Sequence, residues 1–254
     1  MIRRKLLLLL KKLYFLKYRL RERTFENRIK YLYFNRGSRV LAVVFSCMDT
    51  DDKNRIYNYV KGLVDVKVDL LYLSDPFGYR GSYYWKDKGN DQPLHMTQRL
   101  LKKIIGSKQY DCTCFLGSSK GGSAAILHGA LLGADYILAG SNQYNIGSYV
   151  AQSPDIFFGM TGEKVNKEAE TRLNDEFASY FDMIPDKTRL LIQYSINEVT
   201  YKHDTIDMLA HIKRNGVNCS ETKCDFSLHD EVGSYFKPWV HNYLVSLKKQ
   251  YDHS

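Results

Sequence analysis

The chain has 254 residues, of which 44% are hydrophobic and 26% charged, a balance typical of one good-sized globular domain with a full core. The formal net charge of +9 is uneven, since residues 1–37 carry twelve Lys and Arg against two acidic residues, and the rest of the chain has a net charge of −1. The body therefore supplies no basic groove, and we expect no nucleic-acid partner.

The five cysteines form an odd set without the spacing of a zinc site, and we expect no metal. We interpret all five as reduced thiols of a cytoplasmic protein. A catalytic cysteine is the less favoured alternative. The five are Cys47, Cys112, Cys114, Cys219 and Cys224.

Residues 1–37 have the pattern of a basic amphipathic helix, or of two helices broken near Thr24. Leucines recur at helical spacing between Lys and Arg, at positions 6, 9, 10, 13, 16 and 20. The apolar run Leu6–Leu10 is far shorter than the roughly 20 residues of a spanning helix or the about 7–15 of a signal peptide. Such an arm can attach to an anionic membrane surface, on the inner face of the cell membrane. The alternatives are a helix packed on the domain and a dimerisation helix.

The body, residues 38–254, alternates apolar runs with helical segments and shows no repeat and no second core. The expected strands are Val40–Phe45, Asp69–Leu73, Cys112–Leu116, Tyr136–Ala139, Arg189–Tyr194 and Cys224–Leu228. The expected helices are 55–64, 95–105, 122–132, 204–214 and 232–248. A charged helical stretch, 161–186, is either a cap over the site or a peripheral helix pair. This alternation predicts an α/β fold with one doubly wound, mostly parallel sheet flanked by helices.

The strongest motif lies between the expected strand Cys112–Leu116 and the helix after it. Gly117-Ser118-Ser119-Lys120-Gly121 has the G-x-S-x-G spacing of a nucleophile elbow, in which a strained turn lifts the central serine above the sheet edge. The alternative is a Gly/Ser-rich turn that only joins strand to helix. Small residues on both sides of Ser119 favour the elbow.

A base and an acid follow Ser119 in the chain order that such a site requires. His229 lies between the last expected strand and the last helix, and we predict it as the base. Glu198 follows the strand before that, and we favour it as the acid over Asp204, which an N-cap of the next helix would explain. His128 is interpreted as a packed helix residue.

These residues predict acyl transfer through an acyl-serine. The N–H groups of Lys120 and of Cys47 or Ser46 would hold the oxyanion. Gln143 and Tyr144 follow the strand Tyr136–Ala139, where open α/β sheets bind ligands, and with Ser46 they are the predicted substrate-binding residues. Residues 79–94, rich in Gly, Tyr and Trp, are expected to be a loop near the site whose aromatic rings either contact substrate or pack inward.

The stretch from Gly117 to Val150, with GSSKGG and QYNIG, resembles a branch of the α/β-hydrolase family. That branch includes capsular polysaccharide biosynthesis proteins and the second accessory Sec secretion protein of Gram-positive bacteria. The resemblance extends loosely over residues 38–245 and does not cover the arm. It implies an α/β-hydrolase fold, a triad of Ser119, Glu198 and His229, and acyl transfer, usually acetyl, to or from sugar hydroxyls. The strands that many hydrolases carry before the first one here are expected to be absent.

The leading hypothesis is an O-acetyltransferase that modifies a capsular or other surface polysaccharide, with acetyl-CoA as donor and no permanently bound cofactor. A carbohydrate or carboxyl esterase with the same triad is the close alternative, because the two differ only in whether water reaches the acyl-enzyme. A non-catalytic assembly protein is a third. Capsule-assembly proteins are alternative partners of residues 1–37.

Overall fold

One mixed β-sheet runs through the protein. The structure, a computed structural model, describes residues 18, 20–48 and 57–252. Within these ranges the strands are β1 (Arg23–Phe25), β2 (Ile29–Phe34), β3 (Val40–Phe45), β4 (Asp69–Leu73), β5 (Cys112–Ser118), β6 (Tyr136–Gly140), β7 (Arg189–Ser195) and β8 (Cys219–Cys224). Their order is β1-β2-β4-β3-β5-β6-β7-β8, antiparallel at β1–β2 and β2–β4 and parallel elsewhere. The predicted mostly parallel α/β fold is confirmed.

Helices cover both faces of the sheet. Those described are α1 (Val60–Leu63), α2 (Gln92–Ile105), α3 (Lys120–Leu132), α4 (Ile146–Val150), α5 (Pro154–Thr161), α6 (Lys167–Asp182), α7 (Ile206–Arg214) and α8 (Val232–Asp252). A π-helical turn, Tyr201–Thr205, precedes α7, and a 3₁₀ turn, His229–Glu231, precedes α8.

The core has two halves because successive strand residues point to opposite faces. Along β3, Leu41, Val43 and Phe45 join the half that includes α2, α3 and α6, whereas Val40 and Val44 join the half that includes α1 and α8. Helix α6 packs on α3 and is an integral part of the first half. A strand buried on both faces must be apolar throughout, which explains the sequence VLAVVF.

The predicted helical arm is wrong for residues 23–34, which form the hairpin β1–β2 at one edge of the sheet. The expected absence of strands before Val40 is wrong for the same reason. The predicted domain boundary after residue 37 therefore separates β1 and β2 from the other strands of the same sheet. Residues 1–17 lie outside the described residues, and the amphipathic helix there stays a prediction.

Local chemistry explains the hairpin. The segment Ile29–Phe34 is rich in β-branched and aromatic residues, which favour strands, and Ile29 and Leu32 are fully buried. The turn places Glu26 and Asn27 at φ 46° and 55°, and the Arg28 N–H donates to the Phe25 carbonyl at 3.0 Å. Positive φ at both central residues is the geometry of a tight hairpin turn.

The last strand also differs from its prediction. It spans Cys219–Cys224 instead of Cys224–Leu228, so His229 follows the strand after a short loop. The sequence CSETKC lacks an apolar run because β8 is an edge strand whose side chains are exposed or half-buried. The helix predicted over 55–64 is wrong for residues 57–59, which are not helical, so that α1 begins at Val60; residues 55 and 56 lie outside the described ranges.

His128 is a packed helix residue, as predicted. It lies in α3, is fully buried, and stacks on Phe45 with ring centroids 5.4 Å apart. Its Nε2 atom lies 3.3 Å from the Tyr84 carbonyl oxygen. Burial lowers the pKa of this imidazole to about 3, so the ring is neutral near pH 7.

We expect His128 to make the protein acid-sensitive. The pKa of His128 in the folded protein lies below that of a histidine in the unfolded chain. The contribution of His128 to the stability of the fold is therefore complete above about pH 6.5 and falls as the pH drops from there towards 3. Between pH 7 and pH 5 the free energy of unfolding should fall by about 2 kcal/mol from this group. Urea unfolding at both pH values measures the fall. It should be smaller in His128→Phe, which keeps a stacking ring, and unchanged in His95→Gln, which replaces an exposed histidine. An equal fall in all three proteins would contradict this role.

Candidate active site

The turn between β5 and α3 has the geometry of a nucleophile elbow. Ser119 adopts φ 51° and ψ −130°, an unfavourable conformation for a residue with a side chain. A Cβ atom at Gly117 would lie 2.3 Å from the Gly121 carbonyl oxygen, and one at Gly121 would lie 2.5 Å from the Phe45 carbonyl oxygen. Only glycine fits at either place, because the start of α3 presses against β5 and against the end of β3.

The structure brings the three predicted triad residues together. The Ser119 Oγ atom lies 2.8 Å from His229 Nε2, and His229 Nδ1 makes a close hydrogen bond with Glu198 Oε1. The Glu198 side chain is fully buried, whereas 31% of the His229 side chain is exposed. This arrangement can accept the serine proton at one ring nitrogen while a carboxylate holds the other. The catalytic roles themselves stay predictions.

Asp204 is not in contact with His229 in this arrangement. Its Oδ1 atom accepts hydrogen bonds from the backbone N–H groups of Tyr144 and Asn145, at 2.7 and 2.8 Å. The predicted N-cap role is wrong, because Asp204 lies inside the π-helical turn and α7 has no side-chain cap. Burial raises the pKa of this carboxyl group. Asp204 therefore holds the loop that follows β6.

Two further residues fix the loops that carry Glu198 and His229. The Ser195 Oγ atom, at the end of β7, donates to the Phe226 carbonyl at 2.6 Å and accepts from the Phe226 N–H at 3.2 Å. The Glu231 carboxylate accepts from the N–H groups of Ser227 and Leu228, at 3.1 and 2.9 Å. The first pair ties the strand before Glu198 to the loop that carries His229. The sequence had no signal for the first tie, which joins residues 31 apart in the chain, and only proximity in the chain for the second.

The predicted substrate-binding residues occupy different places. Gln143 is fully buried, and its Nε2 atom donates to Ser119 Oγ at 3.2 Å. The Tyr144 hydroxyl lies 2.6 Å from His211 Nδ1, and Ser46 is buried with its N–H and its Oγ atom bonded to the Tyr84 hydroxyl. Gln143 thus contacts Ser119, and neither Tyr144 nor Ser46 lines the cavity described next.

A cavity of about 520 Å³ opens over Ser119 and His229. Its remaining lining residues are Cys47, Met48, Asn58, Tyr59, Arg80, Ser118, Tyr149, Gln152, Ser153, Ile156, Asp230, Val232 and Gly233. A larger cavity, about 760 Å³, lies beside the β1–β2 hairpin and contains no triad residue. We place the candidate site in the smaller cavity, because Ser119 and His229 both line it.

Aromatic residues of the loop 79–94 pack inward. Tyr83, Tyr84 and Trp85 are fully buried, so for these three rings the structure confirms inward packing, the second of the two expectations. Tyr83 and Tyr84 have φ of 60° and 55°, a backbone conformation that aims both rings into the core. From this loop Arg80 lines the cavity instead, and the sequence did not single out this residue.

The predicted oxyanion donors lie beside Ser119. Lys120 is the first residue of α3, where a backbone N–H has no partner within the helix. The Cys47 N–H donates to Asn58 Oδ1 at 2.8 Å, and both residues line the cavity. The Ser46 N–H donates to the buried Tyr84 hydroxyl at 3.0 Å. Cys47 is therefore the better second donor, since a substrate oxygen can replace Asn58 Oδ1 there.

The Lys120 side chain forms an ion pair inside the protein. Its Nζ atom lies 2.8 Å from Asp75 Oδ2, and neither side chain has exposed surface. Removing one partner of such a pair typically costs about 3–5 kcal/mol, because the other charge stays buried and unpaired. This pair lies directly behind the elbow.

A scan against protein-family models and a search of curated protein sequences each found no match. Among solved structures, the capsule O-acetyltransferase of Neisseria meningitidis serogroup A is similar over 88% of this chain and 93% of its own, with 19% identity and a TM-score of 0.76. A variant of that enzyme in complex with CoA is similar at 16% identity and a TM-score of 0.73, over 88% of this chain and 94% of its own.

Serine hydrolases show the same architecture. The fluorophosphonate-binding serine hydrolase F of Staphylococcus aureus is similar over 85% of this chain and 90% of its own, with 13% identity and a TM-score of 0.60. At such low identities the similarity shows the fold alone. The protein has the α/β-hydrolase fold, with a Ser–His–Glu constellation at the carboxyl edge of its sheet.

We expect the two candidate acids to behave differently on substitution. Glu198→Gln should slow fluorophosphonate labelling of Ser119 by about 10³-fold or more, because the amide no longer stabilises a charged His229. Asp204→Asn keeps an oxygen that accepts the Tyr144 and Asn145 N–H groups, and should slow labelling by about tenfold or less. Rates of labelling, with thermal unfolding as a control for folding, measure both. A larger loss in Asp204→Asn would contradict the choice of Glu198.

Proposed function

We propose that the protein is a serine-dependent O-acetyltransferase of a capsular or other surface polysaccharide. The observation that carries the proposal is the hydrogen-bonded series Ser119, His229 and Glu198 facing a cavity of about 520 Å³. The similarity in fold to a capsule O-acetyltransferase, and the CoA bound in one structure of that enzyme, support acetyl-CoA as donor.

In the first half-reaction the acetyl group moves to Ser119. The Oγ atom attacks the thioester carbonyl while His229 Nε2 takes its proton, and the N–H groups of Lys120 and Cys47 hold the oxyanion. Collapse of this intermediate breaks the C–S bond, and His229 returns the proton to the leaving CoA sulfur. Oxyanion donors of this kind each lower the barrier by about 3–4 kcal/mol.

In the second half-reaction a sugar hydroxyl takes the acetyl group. His229 removes the hydroxyl proton as its oxygen attacks the acetyl-serine, and then protonates the departing Ser119 Oγ atom. Tyr149 and Gln152 line the cavity, and both side-chain types commonly stack on sugars or bond to them. They are the residues that we propose for acceptor binding.

An esterase is the second candidate, and the similarity in fold to a serine hydrolase supports it. The same triad serves both reactions, and water takes the place of the sugar hydroxyl in hydrolysis. A third proposal, a non-catalytic assembly protein, does not need the contacts among Ser119, His229 and Glu198.

We expect the purified protein to transfer radiolabelled acetyl groups from acetyl-CoA to polysaccharide, and Ser119→Ala to lose transfer. The variant removes only one oxygen atom and should keep the wild-type melting temperature. Acetylated polysaccharide is measured after removal of free CoA. Release of acetate without labelled polysaccharide would favour the esterase. Full biological function in Ser119→Ala would favour the assembly protein.

We further propose that residues 1–17 attach the protein to an anionic membrane surface, with capsule-assembly proteins as alternative partners. These residues contain six Lys and Arg and no acidic residue. Each basic residue near such a surface contributes about 1 kcal/mol. No helix among the described residues is long and apolar enough to cross a bilayer.

Vesicle flotation tests the attachment. We expect the full chain to float with vesicles that contain phosphatidylserine and not with neutral vesicles. A protein lacking residues 2–17 should stay unbound yet keep its melting temperature, because every described strand is retained. A matched full-length control replaces the basic residues at positions 3, 4, 5, 11, 12 and 17 by Gln. Equal flotation of all three proteins would contradict the proposal.

A further inference from the structure

Lys120, the residue after the nucleophile, has a backbone N–H and a side-chain Nζ atom in different surroundings. Its backbone N–H, at the start of α3, is the first oxyanion donor of the proposed reaction. Its Nζ atom is fully buried, pairs with Asp75 Oδ2 at 2.8 Å, and lies 4.7 Å from the centre of the Tyr84 ring. A charge buried this completely is costly unless its partners are fixed in place. The Lys120 side chain therefore holds the peptide of Lys120 to the loop after β4.

Asp75 passes this constraint along that loop. Its Oδ2 atom also accepts the N–H of Ser82 at 2.7 Å and the N–H of Tyr84 at 3.1 Å, and its Oδ1 atom accepts the N–H of Phe77 at 3.3 Å. The carboxylate thus fixes the backbone on both sides of the turn. It holds Tyr84 in its left-handed conformation, with φ 55°.

Tyr84 completes the connection to the second oxyanion donor. Its hydroxyl donates to the Leu73 carbonyl at 2.9 Å and accepts from the Ser46 N–H at 3.0 Å. The Ser46 Oγ atom lies 2.7 Å from the same hydroxyl, which fills its hydrogen-bonding capacity. Ser46 immediately precedes Cys47. The Tyr84 side chain therefore fixes the loop after β3. Tyr84 is in turn fixed by Asp75, the partner of Lys120.

We propose that the side chains of Lys120, Asp75 and Tyr84 form one positioning unit that sets the separation of the two oxyanion-hole N–H groups. These side chains do not touch substrate, and they act through the peptides of Lys120 and Cys47. The inference rests on the proposed serine chemistry. An apolar cluster of equal volume would fill the same space but would lack directional bonds to the loop N–H groups, so the two donors would not be held in register.

The variant Tyr84→Phe tests the unit with a small change. It removes the oxygen that holds Ser46 and keeps the ring over Lys120. We expect Ser119 to react with a fluorophosphonate about tenfold more slowly, since small displacements of a catalytic group have effects of this size. The affinity for a trifluoromethyl ketone, whose adduct with Ser119 bears an oxyanion, should fall by the same factor. The pH midpoint of labelling should not move, because the contact of His229 with Glu198 is untouched.

The matched control is Tyr136→Phe, which removes the hydroxyl of another buried tyrosine, on β6. It should react at the wild-type rate. A rate in Tyr84→Phe equal to that of Tyr136→Phe would overturn the proposal. A slower rate with unchanged affinity for the ketone would also overturn it, since the oxyanion hole would then be intact.

The ion pair is tested by the double variant Lys120→Met, Asp75→Asn. It leaves no unpaired charge, and the amide oxygen can still accept the N–H groups of Ser82 and Tyr84. We expect a folded protein in which labelling and ketone affinity fall together by about 10- to 100-fold. Wild-type rates in this variant would overturn the role of the ion pair. Absence of Ser119 labelling in the wild-type protein would instead count against the serine chemistry itself.

Discussion

The close approach of α3 to the ends of β3 and β5 is the constraint on which the site depends. Gly117 and Gly121 allow backbone contacts that no other residue would permit, and these contacts hold Ser119 at a positive φ. Strain of this kind persists only when the surrounding structure overdetermines it. Here the Ser119 N–H also donates to the Gly140 carbonyl at 2.8 Å, which ties the elbow to β6.

Each loop around the elbow is held by a buried polar group. Asp204 holds the loop after β6, Ser195 ties β7 to the loop before His229, and Asp75 holds the loop after β4. A buried polar group destabilises a core unless its hydrogen bonds are satisfied. Such groups therefore mark places where the direction of a hydrogen bond matters more than the burial of apolar surface. These buried groups fix the loops at the carboxyl edge of the sheet, and the cavity opens over these loops.

Several features followed from local chemistry alone. Apolar runs such as VLAVVF predict strands buried on both faces, and G-x-S-x-G predicts the elbow, because both patterns are dictated by neighbouring residues. The hairpin β1–β2 was missed because leucine spacing upstream suggested one helix, or two broken near Thr24, although Glu26 and Asn27 form a tight turn. Strand β8 was misplaced because an edge strand needs no apolar run.

The sequence by itself determined the chain order of Ser119, Glu198 and His229 and the alternation of strands and helices, since periodicity and spacing are local properties. Only the tertiary structure decided that Glu198, and not Asp204, contacts His229, and that Tyr83, Tyr84 and Trp85 point inward. It also paired Lys120 with Asp75, 45 residues earlier in the chain. Such contacts depend on which loops lie together at the carboxyl edge of the sheet. Separation along the chain does not indicate which loops these are.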